Sequence, residues 1–197
     1  MLVYPKNASN NINIVGIDPG TTCTAVAILT IDVSTMKIVR TKAMTFNSDK
    51  MLSEDEYLTE PHSERMCKII AQKNNLIRLF RYHLPSYICC ESPFFNRLRP
   101  SAFGPLMEIL SAIQMASVEY NPLVKFTLYP PSIIKKALGG SGLANKDAVR
   151  NQLLLRDDLE YNGDYPLDKL DEHSLDAIAV GICHFNLLKK GYISCLS

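Results

Sequence analysis

The chain of 197 residues contains no tryptophan, no CxxC cysteine pair and no internal repeat. No uninterrupted apolar run approaches the ~18 residues that a membrane-spanning helix requires. The polar segment 1–13 has neither the apolar core of a secretory signal nor the arginines of a transit peptide. Lysine plus arginine (21) and aspartate plus glutamate (20) leave a net charge of +1, so bulk charge neither predicts nor excludes a nucleic-acid partner. These absences predict an intracellular protein.

The composition that remains is ordinary for a globular protein, with 47% hydrophobic and 21% charged residues. The length fits one domain, at roughly 100–200 residues per domain. We therefore predict a single domain over 1–197, in which 1–11 form a flexible N-terminal extension. The six cysteines lie mostly in apolar runs and are predicted to be reduced core residues: Cys23, Cys67, Cys89, Cys90, Cys183 and Cys195.

The order of apolar runs, turns and helical stripes predicts an α/β fold. Strands are predicted where short apolar or alternating runs end at turn residues, at 12–18, 23–30, 37–46, 87–91 and 125–129. Helices are predicted at 64–82, 101–120, 132–138, 145–155 and 171–190, with exposed loops at 48–61 and 156–170. The pattern indicates a mixed five-stranded sheet, an antiparallel meander followed by parallel strands, flanked by helices.

Two carboxylates end two of the predicted strands. Asp18 closes the first strand and Glu91 closes the fourth. If those strands are parallel neighbours, both side chains emerge at the carboxyl edge of the sheet, where ligands bind in α/β folds. Carboxylates this close repel one another unless a cation or a proton lies between them, and Mg²⁺ prefers such oxygen ligands. For Asp18, a simple Asp-Pro-Gly turn is the competing interpretation.

The last predicted helix contributes a third acidic residue and a histidine. Asp176 lies inside an apolar run, where an unpaired carboxylate is costly. His173 precedes it by three residues, so both lie on one helical face. A bound divalent ion explains this placement, and the alternative is that Asp176 serves an acidic first turn that also holds Asp171 and Glu172.

Four motifs in this order resemble the RuvC family of Holliday-junction resolvases, within the ribonuclease-H-like superfamily. They are IVGIDPG at 14–20, Cys90-Glu91 followed by Phe94, the lysine- and glycine-rich segment 135–146, and HSLDAIA at 173–179. The resemblance extends from residue 14 to about residue 185 and implies a ribonuclease-H-like sheet. It departs from the bacterial pattern at His173, where those resolvases usually carry aspartate. The HxxD form is similar to the RuvC nuclease domain of Cas9-type enzymes.

The resemblance implies an active site and a reaction. Asp18, Glu91, His173 and Asp176 are the implied catalytic and metal-binding residues, holding two Mg²⁺ ions, for which Mn²⁺ substitutes. His173 has two open roles, metal ligand or base. The implied enzyme is a crossover junction endodeoxyribonuclease that resolves four-way DNA junctions by paired symmetric nicks, leaving 5′-phosphate and 3′-hydroxyl ends. It acts as a homodimer without a nucleotide cofactor. The candidate interface elements are the helices at 64–82 and 101–120, through residues whose default interpretation is core packing: Phe103, Leu106, Met107 and Leu110.

The resemblance also implies DNA contacts near the catalytic residues. Phe94 falls where the family places an aromatic wedge at the strand-exchange point, and Phe95 is beside it. Arg97 and Arg99 lie in the same proline-bounded loop and are suited to phosphate contact. The predicted DNA-binding lysines flank the glycine-rich loop: Lys135, Lys136 and Lys146. Ordinary core packing is the competing interpretation for the phenylalanines, and solvated surface is the competing interpretation for the arginines. Without the resemblance, the glycine-rich loop is only a weak signal.

Three other interpretations compete with the resolvase. The GIDPGTT segment at 16–22 is similar to the first phosphate loop of actin-like ATPases, but the chain lacks the second lobe that such enzymes need. A junction-binding protein without catalysis and a broader flap or fork nuclease stay open. The predicted location is the cytoplasm or nucleoid, or an organelle or host-cell cytoplasm for a eukaryotic or viral source.

Overall fold

The computed structural model describes residues 10–51, 61–93, 100–139 and 146–196. Its strands are β1 (Asn11–Asp18), β2 (Cys23–Asp32), β3 (Lys37–Asn47), β4 (Tyr87–Glu91) and β5 (Lys125–Tyr129). Its helices are α1 (Ser48–Met51), α2 (Glu64–His83), α3 (Phe103–Tyr120), α4 (Pro131–Ala137), α5 (Lys146–Leu154) and α6 (Glu172–Leu196). Within these ranges, no helix combines the length and apolarity needed to cross a membrane.

The five strands form one mixed sheet in the order β3-β2-β1-β4-β5. β1 is antiparallel to β2 and β2 to β3, as the predicted meander requires. β4 joins the other side of β1 as a parallel strand, and β5 extends the sheet in parallel beyond it. The predicted fold class is therefore confirmed, and β1 is the central strand.

Both faces of β1 are buried because helices cover the sheet on each side. Val15 and Ile17 face the layer that contains α2 and α3. Ile14 faces the layer formed mainly by α6. All three side chains have no exposed surface. A strand buried on both faces needs a continuous apolar sequence, which explains why the run before Asp18 does not alternate.

α6 crosses β1 at very short range, through a glycine on each element. A Cβ atom placed on Gly16 would lie 2.4 Å from the backbone oxygen of Ala177 and 2.5 Å from the backbone nitrogen of Gly181. A Cβ atom on Gly181 would meet the side chain of Leu29 on β2 at 2.6 Å. Because no side chain separates the two backbones, the first turns of α6 are held against the carboxyl end of β1.

A buried polar pair fastens the edge strand β5 to α6. The Tyr129 hydroxyl lies 2.6 Å from Nδ1 of His184, and the Tyr87 ring lies 4.9 Å from the same imidazole. Burial lowers the pKa of His184 to about 4, and the nearby charge of Lys125 lowers it further. Burial likewise raises the pKa of Tyr129. Both groups are therefore neutral near pH 7 and act as a structural contact.

Several predicted boundaries differ from the structure. The last helix begins at Glu172 instead of 171 and continues to Leu196, six residues beyond the predicted end. Ser48–Met51 forms a single helical turn in a segment predicted as loop, and Asn11, assigned to the extension, starts β1. Within the predicted loop 156–170, Leu167–Lys169 form a short 3-10 turn. Residues 52–60 and 140–145 lie outside the described residues. They include Asn145, the first residue of the helix predicted at 145–155.

The predicted interface residues on α3 divide into core and surface. Leu110 is buried at 4% exposure and packs in the core with α2, in agreement with its default interpretation as a core residue. Phe103 and Leu106 are partly buried. Met107 is exposed, as are Met115 and Val118 further along the same helix. Met107 and Leu110 are three residues apart and lie on adjoining parts of the helix surface, so Met107 stands at the margin of the buried face.

Candidate active site

The sheet register brings Asp18 and Glu91 to one edge. Ile17 of β1 pairs with Cys90 of β4 in the parallel ladder, so the next residue on each strand is a carboxylate at the same level. The side chain of Asp18 is only 15% exposed. The structure thus satisfies the condition on which the sequence prediction depended, that the two strands are parallel neighbours.

The first two turns of α6 add His173 and Asp176 to this edge. Nδ1 of His173 lies 2.8 Å from Oδ2 of Asp18, a hydrogen bond in which the imidazole N–H donates to the carboxylate. That bond is the largest cause of the raised pKa of His173, while partial burial opposes it. The charges of Asp18, Asp171 and Asp176 raise this pKa further. The bond fixes the orientation of a half-exposed imidazole.

Glu91 shows most clearly that the carboxylates share one electrostatic site. Its pKa is raised to about 7, first by burial and then by the negative charges of Asp18 and Asp176. Lys135, in the last turn of α4, acts in the opposite direction. Near neutral pH the three carboxyl groups therefore repel one another when all are ionised, and an added cation would relieve this repulsion.

The donor set fits a hard divalent cation. Three carboxylates and one imidazole at a sheet edge are the oxygen and nitrogen ligands that such ions accept. Within the described part of the chain, no three His, Cys, Asp or Glu side chains stand close enough together to hold a metal ion as they are placed. The residues that would hold the ion are Asp18, Glu91, Asp176 and His173, and one of His173's ring nitrogens is already engaged by Asp18.

The predicted DNA contacts are only partly placed. Lys135 is half-buried and close enough to influence Glu91, so the structure brings it to the site. Lys136 is exposed and lines a groove between α4 and α6, together with Leu187 and Lys190. The side chain of Lys146 is not among those that the structure describes. Four further predicted contacts lie outside the described residues: Phe94, Phe95, Arg97 and Arg99.

A comparison with known families identifies the family to which the chain belongs. The sequence model described as crossover junction endodeoxyribonuclease RuvC matches residues 14–184. The chain belongs to the RuvC family. Membership places it among the crossover junction endodeoxyribonucleases, as the motifs around Asp18, Glu91 and Asp176 predicted.

Individual RuvC proteins agree with this assignment over nearly their whole length. The RuvC of Synechococcus sp. (strain RCC307) is 31% identical over 180 residues, which cover 87% of this chain and 96% of the relative. The solved RuvC of Thermus thermophilus shares the fold with a TM-score of 0.63 at 19% identity, over 91% of this chain and 97% of that one. The same protein in complex with a Holliday junction substrate gives a TM-score of 0.61 at 20% identity.

Asp171 caps α6, the helix that carries His173 and Asp176. Its Oδ1 accepts a hydrogen bond from the backbone N–H of Ser174 at 3.0 Å, and its Oδ2 accepts one from the Ser174 hydroxyl at 2.7 Å. Asp176 is the fifth residue of α6, beyond the four N–H groups that need a cap. The first turn of α6 is therefore capped by Asp171, and Asp176 is not needed for capping.

Replacing this cap has a predictable cost. We expect Asp171→Ala to lower the free energy of unfolding by about 1 kcal/mol, the usual effect of losing an N-cap. Asp171→Asn keeps an oxygen that accepts from Ser174 and should cost less than half as much. Urea denaturation of both variants measures the difference. Equal losses in the two variants would contradict the capping role.

Sequence reasoning missed one residue beside the site. Cys23, grouped with the core cysteines, is only partly buried and starts β2 next to the catalytic edge. Burial raises the pKa of its thiol, and the charges of Asp171 and Asp18 raise it further. The short turn predicted after Asp18 could have indicated this position, because a tight hairpin starts the next strand at the sheet edge where the previous strand ended. The other described cysteines are buried as predicted: Cys67, Cys89, Cys90 and Cys183.

Proposed function

We propose that this chain resolves four-way DNA junctions by metal-dependent, paired symmetric nicks that leave 5′-phosphate and 3′-hydroxyl ends, inside the cell that makes it. The observation that carries the proposal is the shared edge of Asp18 and Glu91, whose carboxylates end neighbouring parallel strands. Family membership supports the substrate class, since RuvC relatives are named crossover junction endodeoxyribonucleases. The related Thermus thermophilus RuvC has been solved with a Holliday junction substrate.

In this proposal the side chains at the edge hold and orient the reacting groups. Asp18, Glu91, Asp176 and His173 would hold two divalent cations, Mg²⁺ with Mn²⁺ as a substitute. Such cations, when bound, activate a water and stabilise the leaving oxygen of a phosphodiester. The partly buried carboxyl of Glu91 retains a proton up to about pH 7 without added positive charge. Asp18 fixes the ring of His173, whose roles as ligand and as base both stay predictions.

Lys135 is the described cation best placed to meet a phosphate next to these carboxylates. We expect Lys135→Gln to weaken junction binding several-fold and to reduce the dependence of log K on log salt by about 1, the effect of losing one phosphate contact. Filter binding across a salt series measures both quantities. Lys37→Gln, at the start of β3 on the opposite end of the sheet, is the matched control and should leave the slope unchanged. A slope unaffected by Lys135→Gln would remove this residue from the DNA contact.

Paired nicks require two active sites, so we propose a homodimer. The exposed apolar side chains of Met107, Met115 and Val118 on α3 support an interface on that helix. Exposed apolar side chains along one helix are typical of a surface that becomes covered on association. The earlier candidate Leu110 belongs to the core and plays no part in this face.

One gel experiment tests the proposed function. The protein is mixed with end-labelled four-way junction, flap, fork and linear duplex, each with and without Mg²⁺. Symmetric paired nicks on the junction alone, present only with the metal, are the expected result. Equal cutting of flaps or forks would replace the resolvase by a general branched-DNA nuclease. Junction binding without cutting in Mg²⁺ or Mn²⁺ would leave a binding protein and refute the catalytic proposal.

A further inference from the structure

A buried glutamine on α2 is the strongest feature of the fold that the proposed function does not use. Gln72 is only 1% exposed, although α2 otherwise buries mostly apolar side chains such as Leu76 and Phe80. A buried amide that lacks hydrogen-bond partners destabilises a fold. Its hydrogen bonds therefore identify what it holds.

The described hydrogen bonds of the Gln72 side chain all go to the segment that follows Asp18. Its Oε1 accepts from the Thr24 hydroxyl at 2.6 Å. Its Nε2 lies 3.2 Å from the backbone oxygen of Thr21 and 3.4 Å from that of Gly20. One side chain from α2 thus reaches both arms of the turn between β1 and β2.

The same turn is held by two further contacts. The Thr24 hydroxyl lies 3.0 Å from the backbone oxygen of Gly20, so it touches both the turn and Gln72. Ser48, at the start of α1, donates its backbone N–H to the Thr22 oxygen at 2.9 Å. A Cβ atom on Gly20 would lie 2.1 Å from the Cys23 oxygen, so the turn is as tight as glycine permits. The backbone two residues after Asp18 therefore has little freedom while Gln72 is in place.

We propose that Gln72 is a positioning residue, which holds the turn after Asp18 and thereby sets the place of the Asp18 carboxylate relative to Glu91 and His173. Gln72 does not touch the reacting groups and acts only through the turn. The inference rests on the proposed function for its activity readout, and on the Asp18–His173 hydrogen bond for a readout that needs neither metal nor DNA. Small displacements are sufficient, because a misplacement of about 1 Å in a catalytic group can cost about 100-fold in rate.

The test compares Gln72→Leu with Asn75→Leu. Asn75 also lies on α2, but its side-chain amide donates to Ala71 on the same helix, one turn earlier. We expect Gln72→Leu to lower kcat for junction cutting about 10- to 100-fold, with junction affinity within about twofold of wild type. Asn75→Leu should keep kcat near the wild-type value. Thermal denaturation of both variants identifies the temperature range in which each remains folded.

Two further measurements separate positioning from a general loss of stability. Thr24→Val removes the hydroxyl that links Gln72 to Gly20, and the double variant Thr24→Val/Gln72→Leu should cut no more slowly than Gln72→Leu alone, since both changes break one network. Independently, the ring ¹⁵N shifts of His173, recorded without metal, should change in Gln72→Leu and stay unchanged in Asn75→Leu. Wild-type kcat and unchanged shifts in folded Gln72→Leu would overturn the inference. If the wild-type protein cuts no junction, the proposed function fails, and the shifts alone decide the role of Gln72.

Discussion

Asp18→Asn is expected to abolish junction cutting while leaving junction binding intact. Asparagine keeps the size of the side chain and one oxygen, but it removes the negative charge at the centre of the site. Removing one ligand of a catalytic cation forfeits several kcal/mol of transition-state stabilisation, and each 1.36 kcal/mol is a tenfold change in rate. A loss of about 1,000-fold or more in the cutting rate follows.

The fold should tolerate this substitution because Asp18 stands among like charges. Its charge raises the pKa of Glu91, so the neutral amide relieves repulsion at the edge. The hydrogen bond from His173 then meets a neutral acceptor and is weaker, by roughly half. The free energy of unfolding should therefore lie within about 1 kcal/mol of the wild-type value.

Cutting rates and junction affinity, measured on the same preparation, check the Asp18 prediction. The matched control is Asp157→Asn, an exposed aspartate that lines a groove with Lys37 at the opposite end of the sheet. That control should cut at the wild-type rate. Joint loss of cutting and binding in Asp18→Asn would indicate misfolding, and near-normal cutting would remove Asp18 from the active site.

Gly16→Ala is expected to have the largest effect on stability. The new methyl group would lie 2.4 Å from the Ala177 oxygen and 2.5 Å from the Gly181 nitrogen, both of them backbone atoms of α6. Backbone cannot rotate away as a side chain can, so the helix must move outward or the strand must bend. Overpacking of a core typically costs about 1–3 kcal/mol, and this position should reach or exceed the upper value.

Urea denaturation measures the Gly16 effect, and Gly191→Ala provides the control. A Cβ atom on Gly191, near the end of α6, meets no atom within 4 Å, so alanine there should raise the free energy of unfolding by about 0.5–1 kcal/mol through its better helix propensity. The two glycine-to-alanine changes thus have opposite expected signs. A loss below about 0.5 kcal/mol for Gly16→Ala would contradict the close approach of β1 and α6.

The sheet, and the edge at which Asp18 and Glu91 meet, could be predicted from the sequence because both depend on short-range patterns. Continuous apolar runs identify buried strands, and strand ends identify where Asp18 and Glu91 emerge. The helical spacing of His173 and Asp176 predicts one shared face. Each of these arguments needs only the period of a strand or a helix.

Features that depend on how elements meet in space could not be derived in this way. The hydrogen bond from His173 to Asp18 exists because α6 crosses β1 at Gly16, which no local pattern reveals. Gln72 did leave a signal, a polar residue between Ile69 and Leu76 in the apolar stripe of α2, but its partners lie about fifty residues earlier.

The parallel pairing of β1 with β4 has a consequence for how the enzyme comes into existence on the ribosome. Residues paired across this ladder, such as Val15 and Ile88, are 73 positions apart, and the Asp18–His173 contact spans 155. Loop-closure entropy for such separations must be overcome before the contacts form, which slows folding in chains of high contact order. A nascent chain that has already exposed Asp18 and Glu91 still lacks α6. Synthesis must therefore pass residue 176 before the edge formed by Asp18 and Glu91 can meet the first turns of α6.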